Sequence, residues 1–223
     1  MTPFEPWEEI KKETDSGRTK TFNWFCDDTW RFEDFSSKAC QYFNICSTPE
    51  PSFLEKFKEI GYNNILLGAW HSNKDNHPFI DFKDKSLEVS FAGRIDFLRS
   101  PFIEMLKTYE IPVTHITNVS YEELMMSYSS SKIGLNFSVN PNDKELKTQM
   151  KARMFEVPAA NSLLLTQHHE GIENFFETDK KLKFLIKNPK IVEKLCYNGY
   201  QRFLKEHESH IRLEKILEKI NAK

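Results

Sequence analysis

Short apolar segments alternate with amphipathic segments along the chain, and this alternation is the feature that most constrains the fold. Continuous apolar runs such as Ile65-Leu-Leu67 and Leu163-Leu-Leu165 are typical of strands buried on both faces of a parallel sheet. Strict alternation of strand and helix predicts an α/β fold with right-handed crossovers. We predict strands at residues 21–25, 42–47, 64–69, 88–92, 112–116, 132–137 and 162–166, and helices at residues 51–60, 100–108, 120–130 and 146–159.

A polar segment at residues 70–86 separates the first three predicted strands from the last four. It lacks hydrophobic periodicity, which is typical of a linker or a long loop. We therefore predict three parts: a partial N-terminal α/β segment in residues 1–75, a complete α/β domain in residues 76–188 and a helical tail in residues 189–223.

The charge and the glycine content exclude several classes of protein. There are 31 basic residues against 33 acidic ones, and outside the C-terminal tail no basic stripe is interleaved with aromatic residues, so the chain does not resemble a nucleic-acid-binding module. Only 7 of 223 residues are glycine, and neither the dinucleotide-binding nor the P-loop glycine pattern occurs. A phosphate group would therefore have to be held by a helix N-terminus and by side chains.

The cysteines and the N-terminal residues indicate a cytoplasmic protein. The four cysteines form no Cys-x-x-Cys and do not have metal-ligand spacing with histidine, so we expect reduced thiols and no metal site. The polar, acidic N-terminus does not resemble a signal peptide, and no apolar run approaches the roughly 18 residues of a membrane span. Residues 179–223 carry 12 basic and 6 acidic side chains, which is typical either of a solvated helix face or of a peripheral membrane contact.

The densest group of functional side-chain types lies in residues 131–167. A helix beginning at residue 146 would carry Gln149, Arg153 and Glu156 on one face and apolar side chains on the other. In open α/β sheets, such a polar face points to the crevice where ligands bind, and the helix N-terminus favours an anion there. The alternative is an ordinary amphipathic helix with an Arg153–Glu156 ion pair on its surface.

Six sequence segments together resemble a known family. Residues 151–166, KARMFEVPAANSLLLT, and residues 171–177, GIENFFE, are strongly similar to the spore-maturation-protein-like (CgeB-like) glycosyltransferases of the GT-B superfamily. Further matches lie at residues 23–32, 88–93, 131–136 and 198–207. The resemblance covers about residues 20–215. It implies a Rossmann-like parallel sheet in the C-terminal, donor-binding domain, preceded by a truncated N-terminal domain.

The resemblance also implies a function. Such enzymes transfer a sugar from a nucleotide-sugar donor to an acceptor without a metal ion or another cofactor, and the acceptor here would be an unspecified glycan, lipid or protein. Because the N-terminal domain is expected to be truncated, a partner chain supplying the missing part is also implied. The alternative is a non-catalytic nucleotide-binding or nucleotide-sugar-binding remnant that acts with a partner chain.

The family's site residues can be transferred to matching positions of this sequence. Glu156 corresponds to the glutamate that binds the nucleotide ribose, and its carboxylate could accept two hydrogen bonds from vicinal hydroxyls. Asp28 is the candidate general base and is expected to face the cleft between the two domains; the alternative is a helix N-cap or a structural carboxylate that holds Arg31. The candidates for the donor diphosphate are Arg94, Arg99, Lys151 and Arg153. Other donor-site candidates are Gly93, Asn136, Thr148, Gln149, Thr166 and His168.

Overall fold

The computed structural model describes residues 6–68, 70–141, 145–175 and 188–221. The α-helices in these ranges are α1 (Trp7–Ser16), α2 (Asp28–Arg31), α3 (Ser37–Ala39), α4 (Phe53–Glu59), α5 (Ser100–Thr108), α6 (Tyr121–Ser129), α7 (Arg153–Ala159), α8 (Pro189–Glu206) and α9 (Ser209–Asn221). The strands are β1 (Phe22–Trp24), β2 (Ile45–Thr48), β3 (Ile65–Leu67), β4 (Leu87–Ala92), β5 (Val113–Ile116), β6 (Ser131–Asn136) and β7 (Leu163–Thr166).

The strands form two parallel sheets. The first has the order β1-β2-β3, and the second has the order β5-β4-β6-β7. In the second sheet Val89 pairs with both Val113 and Ile133, which makes β4 and β6 its central strands. These observations confirm the predicted α/β fold with parallel strands. The largest shift in the start of a strand is in β2, which was predicted to begin at Tyr42 and begins at Ile45.

Each sheet packs against its own apolar core. The large side chains of the core beside the first sheet are the buried phenylalanines Phe25, Phe32, Phe53 and Phe57. The core of the second sheet is built on the buried strand residues Val89, Phe91, Ile133 and Leu135. Gly134 lies between them on β6, where an added Cβ would be 2.7 Å from Cγ2 of Val157. The absence of a side chain therefore lets α7 pack directly on β6.

The first C-terminal helix, α8, lies against the second sheet, and the start of α9 contacts the segment that links the two sheets. α8 packs on α7, β6 and β7. At the start of α9, the backbone N–H of Ser209 donates to the carbonyl oxygen of Ser72 at 3.1 Å, and its hydroxyl lies 3.1 Å from Nδ1 of His71. Among the described residues, no helix is both long and apolar enough to cross a membrane.

The predicted helix at residues 146–159 is corrected, because α7 begins only at Arg153. Leu146 has a φ of 54°, which a right-handed helix does not allow. Thr148 forms an antiparallel bridge with Val139, and the N–H of Gln149 donates to the carbonyl oxygen of Ser138 at 2.9 Å. Residues 146–150 therefore run back along the chain that leaves β6 and do not continue the helix. Asn142 and Asp143 precede the predicted helix and are residue types that commonly cap a helix N-terminus, but they lie outside the described residues.

Candidate functional site

A cavity of about 530 Å³ lies at the carboxyl ends of strands from both sheets. Its wall includes residues from the loops that follow β1, β3, β4 and β5. Residues of α6, of α7 and of the segment that leads into α7 complete the wall. Parallel sheets bind ligands at this edge because their loops and the starts of the following helices meet there. The cavity is therefore the candidate functional site.

Arg153, the first residue of α7, is held rigidly in the cavity wall. Its Nε donates to the hydroxyl of Tyr128 at 3.2 Å, its Nη1 donates to Oδ1 of Asn136 at 3.2 Å, and its guanidinium lies 5.3 Å from the ring centre of Phe91. Gly93 has a φ of 132°, and an added Cβ there would be 2.9 Å from Nη2 of Arg153. Within the described residues Arg153 forms no ion pair, so its charge is not neutralised by a carboxylate.

Arg99 and Lys151 bring two further positive charges to the same cavity. Nη1 of Arg99 donates to the carbonyl oxygen of Arg94 at 2.8 Å and lies 3.4 Å from a carboxylate oxygen of Asp96. Burial lowers the pKa of Lys151 to about 8; Asp27 opposes this shift, whereas the nearby charges of Arg99 and Arg153 add to it. Lys151 forms no ion pair with any described residue. Two of these three cations, Lys151 and Arg153, therefore lack an ion-pair partner among the described residues, and positive charges left unpaired in a partly buried space favour an anion.

Glu156 lies one turn after Arg153 on α7 and lines the same cavity. Burial raises the pKa of its carboxyl group, and the positive charge of Arg153 opposes this shift. Ile116, Val119 and Leu124 contribute apolar side chains to the same cavity, and Thr117 and Asn118 contribute polar ones. The cavity thus combines one strong hydrogen-bond acceptor with several apolar side chains.

The opposite wall comes from the first sheet. Cys26 and Asp27 follow β1, and Trp70 lies three residues beyond the end of β3. Oδ1 of Asp27 accepts a hydrogen bond from Nε2 of Gln149 at 3.1 Å. Nε1 of Trp70 donates to the carbonyl oxygen of Met150 at 3.1 Å. The segment before α7 is thereby joined to the strand ends of the first sheet.

Glu50 holds this segment from below the cavity, and sequence reasoning missed it. The side chain is 2% exposed; its Oε1 accepts from the backbone N–H of Met150 at 2.8 Å, and its Oε2 lies 2.8 Å from Nε2 of His169. Nδ1 of His169 is in turn 3.0 Å from the hydroxyl of Thr148. This buried network fixes residues 148–150 and thereby orients Lys151. The available signal was an acidic residue between two prolines directly after a buried strand.

The structure brings several sequence-predicted residues together and leaves others apart. The predicted residues that line the cavity are Gly93, Arg99, Gln149, Lys151, Arg153 and Glu156. Asn136 lies behind the wall, where it accepts from Arg153 and donates through Nδ2 to the hydroxyl of Thr166 at 2.9 Å. Thr148 contacts His169 and does not line the cavity. Asn136, Thr148 and Thr166 are therefore supporting residues in this arrangement.

Three other predicted residues do not line the cavity. Arg94 extends outward with 74% of its side chain exposed, 4.0 Å from Asp96. His168 is exposed as well and lies 3.0 Å from Glu173. The expectation that Asp28 faces the cavity is corrected, because Asp28 is fully buried and its neighbour Asp27 lines the wall instead. Burial raises the pKa of Asp28 to about 6.

Other cavity residues had not been singled out from the sequence. Trp70 falls within the segment predicted to be a linker, and Tyr128 falls within a predicted helix that carried no expected role. Residues 116–119 follow a predicted strand, and their position at a strand end is the signal that could have identified them. No group of three or more histidine, cysteine, aspartate or glutamate side chains suited to a metal ion occurs among the described residues.

Comparison with known proteins places this geometry in context. Residues 54–218 match the model of a family described as glycosyl transferase-like. No curated protein matches the chain at a significant level. Among solved structures, a sucrose-phosphate synthase from Thermosynechococcus elongatus aligns with a TM-score of 0.58 at 10% identity, over 84% of this chain and 61% of the synthase. The chain thus spans about three fifths of that enzyme's length.

Two further solved structures are similar over almost the entire chain. AviGT4, a glycosyltransferase involved in avilamycin A biosynthesis, has a TM-score of 0.56 at 10% identity, covering 99% of this chain and 79% of its own. A glycosyltransferase from Rickettsia africae ESF-5 has a TM-score of 0.55 at 9% identity, covering 100% of this chain and 83% of its own. At such low identities these likenesses establish the fold alone.

Proposed function

Because the chain belongs to the glycosyl transferase-like family and has the GT-B fold of its structural neighbours, we propose that it transfers a sugar from a nucleoside diphosphate donor to an acceptor hydroxyl. Within this family we propose kinship with the CgeB-like enzymes, on the strength of the segments at residues 151–166 and 171–177. The residues around the cavity supply the chemistry that such a transfer needs.

The observation that carries the proposal is the convergence of Arg99, Lys151 and Arg153 on one cavity. A nucleoside diphosphate is the leaving group of the transfer, and negative charge develops on it as the bond to the sugar breaks. Fixed positive groups aimed at that charge stabilise the transition state without having to reorganise. Arg153 meets this requirement through Tyr128 and Asn136, and Lys151 meets it through the segment held by Glu50.

The nucleoside would occupy the end of the cavity that contains Glu156. Its carboxylate can accept hydrogen bonds from both ribose hydroxyls, and such charge-assisted bonds are stronger than neutral ones. The apolar side chains of Ile116, Val119 and Leu124 would lie against the base. The three cations would then contact the diphosphate, so the sugar would extend towards Lys151 and Asp27.

Asp27 is the residue best positioned to receive the acceptor proton. In the proposed step, the acceptor oxygen forms a bond to the anomeric carbon, and the bond from that carbon to the diphosphate oxygen breaks. The bonding electrons leave with the diphosphate, and the proton of the acceptor hydroxyl passes to the Asp27 carboxylate. Gln149 orients this carboxylate through its 3.1 Å hydrogen bond. Asp27 thus takes the role expected of Asp28.

Calorimetry on matched lysine variants tests the diphosphate site. The wild-type chain should bind uridine or guanosine diphosphate more tightly than the corresponding nucleoside. Lys151→Met should weaken diphosphate binding by about 10- to 100-fold, which corresponds to the loss of one charged hydrogen bond. Lys147→Met is the control, because Lys147 lies on the same segment but is exposed and paired with Glu145.

Two outcomes would count against the proposal. Equal losses in the two lysine variants would show that the cavity is not the diphosphate site. The second outcome is a chain that binds nucleoside diphosphate but cleaves none of a panel of sugar nucleotides, with or without added acceptors. Such a chain would be a non-catalytic binding protein. Release of nucleoside diphosphate, which is lost in Asp27→Asn and retained in Lys147→Met, would support the transferase.

A further inference from the structure

One part of the cavity wall is formed by residues that follow strands of the first sheet, and it combines an aromatic side chain with polar ones. Cys26, Asp27 and Trp70 line it, and Gln149 stands beside them. Among the negative charges near Lys151, Asp27 opposes the lowering of that lysine's pKa most strongly. Asp27 and Trp70 follow strands of the first sheet, whereas Glu156 and Leu124 lie on α7 and α6 beside the second sheet. In the proposed binding mode the nucleoside lies at Glu156 and the diphosphate lies at the cations, so a group bound at Asp27 and Trp70 would lie beyond the diphosphate.

Trp70 offers a fixed aromatic surface in this part of the wall. Its Nε1 is anchored on the carbonyl oxygen of Met150 at 3.1 Å, and its ring packs against the buried cluster that includes Met150 and Met154. The ring of Trp24 lies 6.4 Å away, tilted by 32°. Held in this way, the half-buried indole can offer an apolar surface to the cavity with little loss of conformational freedom on binding.

Polar groups surround this aromatic surface. The carboxylate of Asp27 can accept hydrogen bonds, and it is oriented by Nε2 of Gln149 at 3.1 Å. The amide oxygen of Gln149 already accepts from Thr29 and Asn140, and the Cys26 thiol donates to the carbonyl oxygen of Trp24 at 3.7 Å. Asp27 is therefore the polar partner that a ligand hydroxyl would meet here. A pyranose ring matches this combination, since one of its faces presents C–H groups to an aromatic ring while its hydroxyls point outward to polar partners. A long-chain alcohol would need a continuous apolar groove, and the described lining here has one aromatic ring among polar groups.

We infer that the acceptor is a saccharide, and that one of its pyranose rings lies on the indole of Trp70 with a hydroxyl directed at Asp27. This inference rests on the proposed function, because it takes the cations as the site of the donor diphosphate. It names the class of acceptor, for which the family match gives no information. Trp70 is in this view a binding residue for the acceptor and not for the nucleoside.

Saturation-transfer-difference NMR with simple saccharides tests the inference. The probes are the methyl pyranosides of glucose, galactose, mannose and N-acetylglucosamine, each measured with a saturating nucleoside diphosphate present. At least one should show transfer in the wild-type chain. Trp70→Leu should weaken its binding about three- to tenfold, which corresponds to about 0.6–1.4 kcal/mol, whereas Trp70→Phe should retain it. Trp30→Leu is the control, because Trp30 is exposed and does not line the cavity.

The outcomes separate this inference from the proposed function. If no nucleoside diphosphate binds, the proposed function is refuted, and this inference is refuted with it. If the diphosphate binds but no pyranoside shows transfer, or if 1-octanol or a serine peptide does so in a Trp70-dependent way, the saccharide is refuted and the donor site stands. A loss of nucleoside diphosphate affinity in Trp70→Leu with full retention in Trp30→Leu would instead make Trp70 part of the nucleoside site.

Discussion

Substitution of Glu156 by glutamine is the sharpest test of how the cavity holds a nucleotide. Glutamine preserves the shape of the side chain and removes its negative charge. If the carboxylate accepts hydrogen bonds from the ribose, the variant loses a charge-assisted interaction of about 1.5–3 kcal/mol. Affinity for a ribonucleoside diphosphate should then fall by about 10- to 150-fold. A 2′-deoxyribonucleoside diphosphate already lacks one of the two hydroxyls and should lose less.

The structure also predicts what the same substitution does to stability. Burial raises the pKa of Glu156, so the folded protein already disfavours its charged form, and only the attraction to Arg153 offsets that cost. Glutamine therefore avoids the free-energy cost of burying a charged carboxylate, but it loses the electrostatic attraction to Arg153. We expect a change in the free energy of unfolding of less than about 1 kcal/mol, because these effects oppose each other. A large loss of nucleotide affinity with an unchanged melting temperature is the expected signature.

Isothermal titration calorimetry measures both affinities, and Glu193→Gln on the exposed side of α8 is the matched control. The decisive quantity is the ratio of ribonucleotide to deoxyribonucleotide affinity, which should shrink in Glu156→Gln and stay constant in the control. If this ratio is the same in the wild-type chain, in Glu156→Gln and in the control variant, Glu156 does not contact the ribose. The polar face of α7 would then be an ordinary surface, and the placement of the nucleoside at this end of the cavity would be wrong.

Three further predictions address the supporting structure. Because burial lowers the pKa of Lys151 to about 8, its ammonium group loses its proton as the pH rises through about 8. Diphosphate affinity measured by calorimetry should therefore be highest at about pH 7 or below and should already decline between about pH 7 and pH 8; Lys151→Met should remove this decline. Glu50→Ala leaves the buried N–H of Met150 and a ring nitrogen of His169 without their partner, so urea denaturation should show a loss of about 1–3 kcal/mol for each unsatisfied group; a total loss below about 1 kcal/mol would show that Glu50 does not hold residues 148–150 in place. Gly134→Ala places a Cβ 2.7 Å from Val157, which should cost about 1–3 kcal/mol in the same assay, and a second substitution, Val157→Ala, should restore part of it.

The strands were predictable because their signal is local. A buried strand of a parallel sheet is a continuous apolar run, and β3 and β7 each contain three consecutive aliphatic residues. The start of α7 was not predictable in this way, since a distant residue decides it. The N–H of Met150 is taken by Glu50, 100 positions earlier in the chain, and this contact together with the bridge at Thr148 keeps residues 146–150 out of the helix. Helical periodicity contains no information about either partner.

The same distinction explains which site residues the sequence could identify. Arg153 and Glu156 follow a predicted strand and lie in a segment of recognisable composition, so they could be predicted to meet at the carboxyl edge of the sheet. Asp27 and Asp28 are adjacent, and which of them faces the cavity depends on the angle at which the chain turns from β1 into α2. That angle buries Asp28 among its own sheet's residues and leaves Asp27 at the wall. Trp70 is the extreme case: it lies in a polar segment without periodicity, and its anchor is the carbonyl oxygen of Met150, 80 positions away. A residue whose role comes from a single long-range hydrogen bond can be recognised only once both sheets are in place.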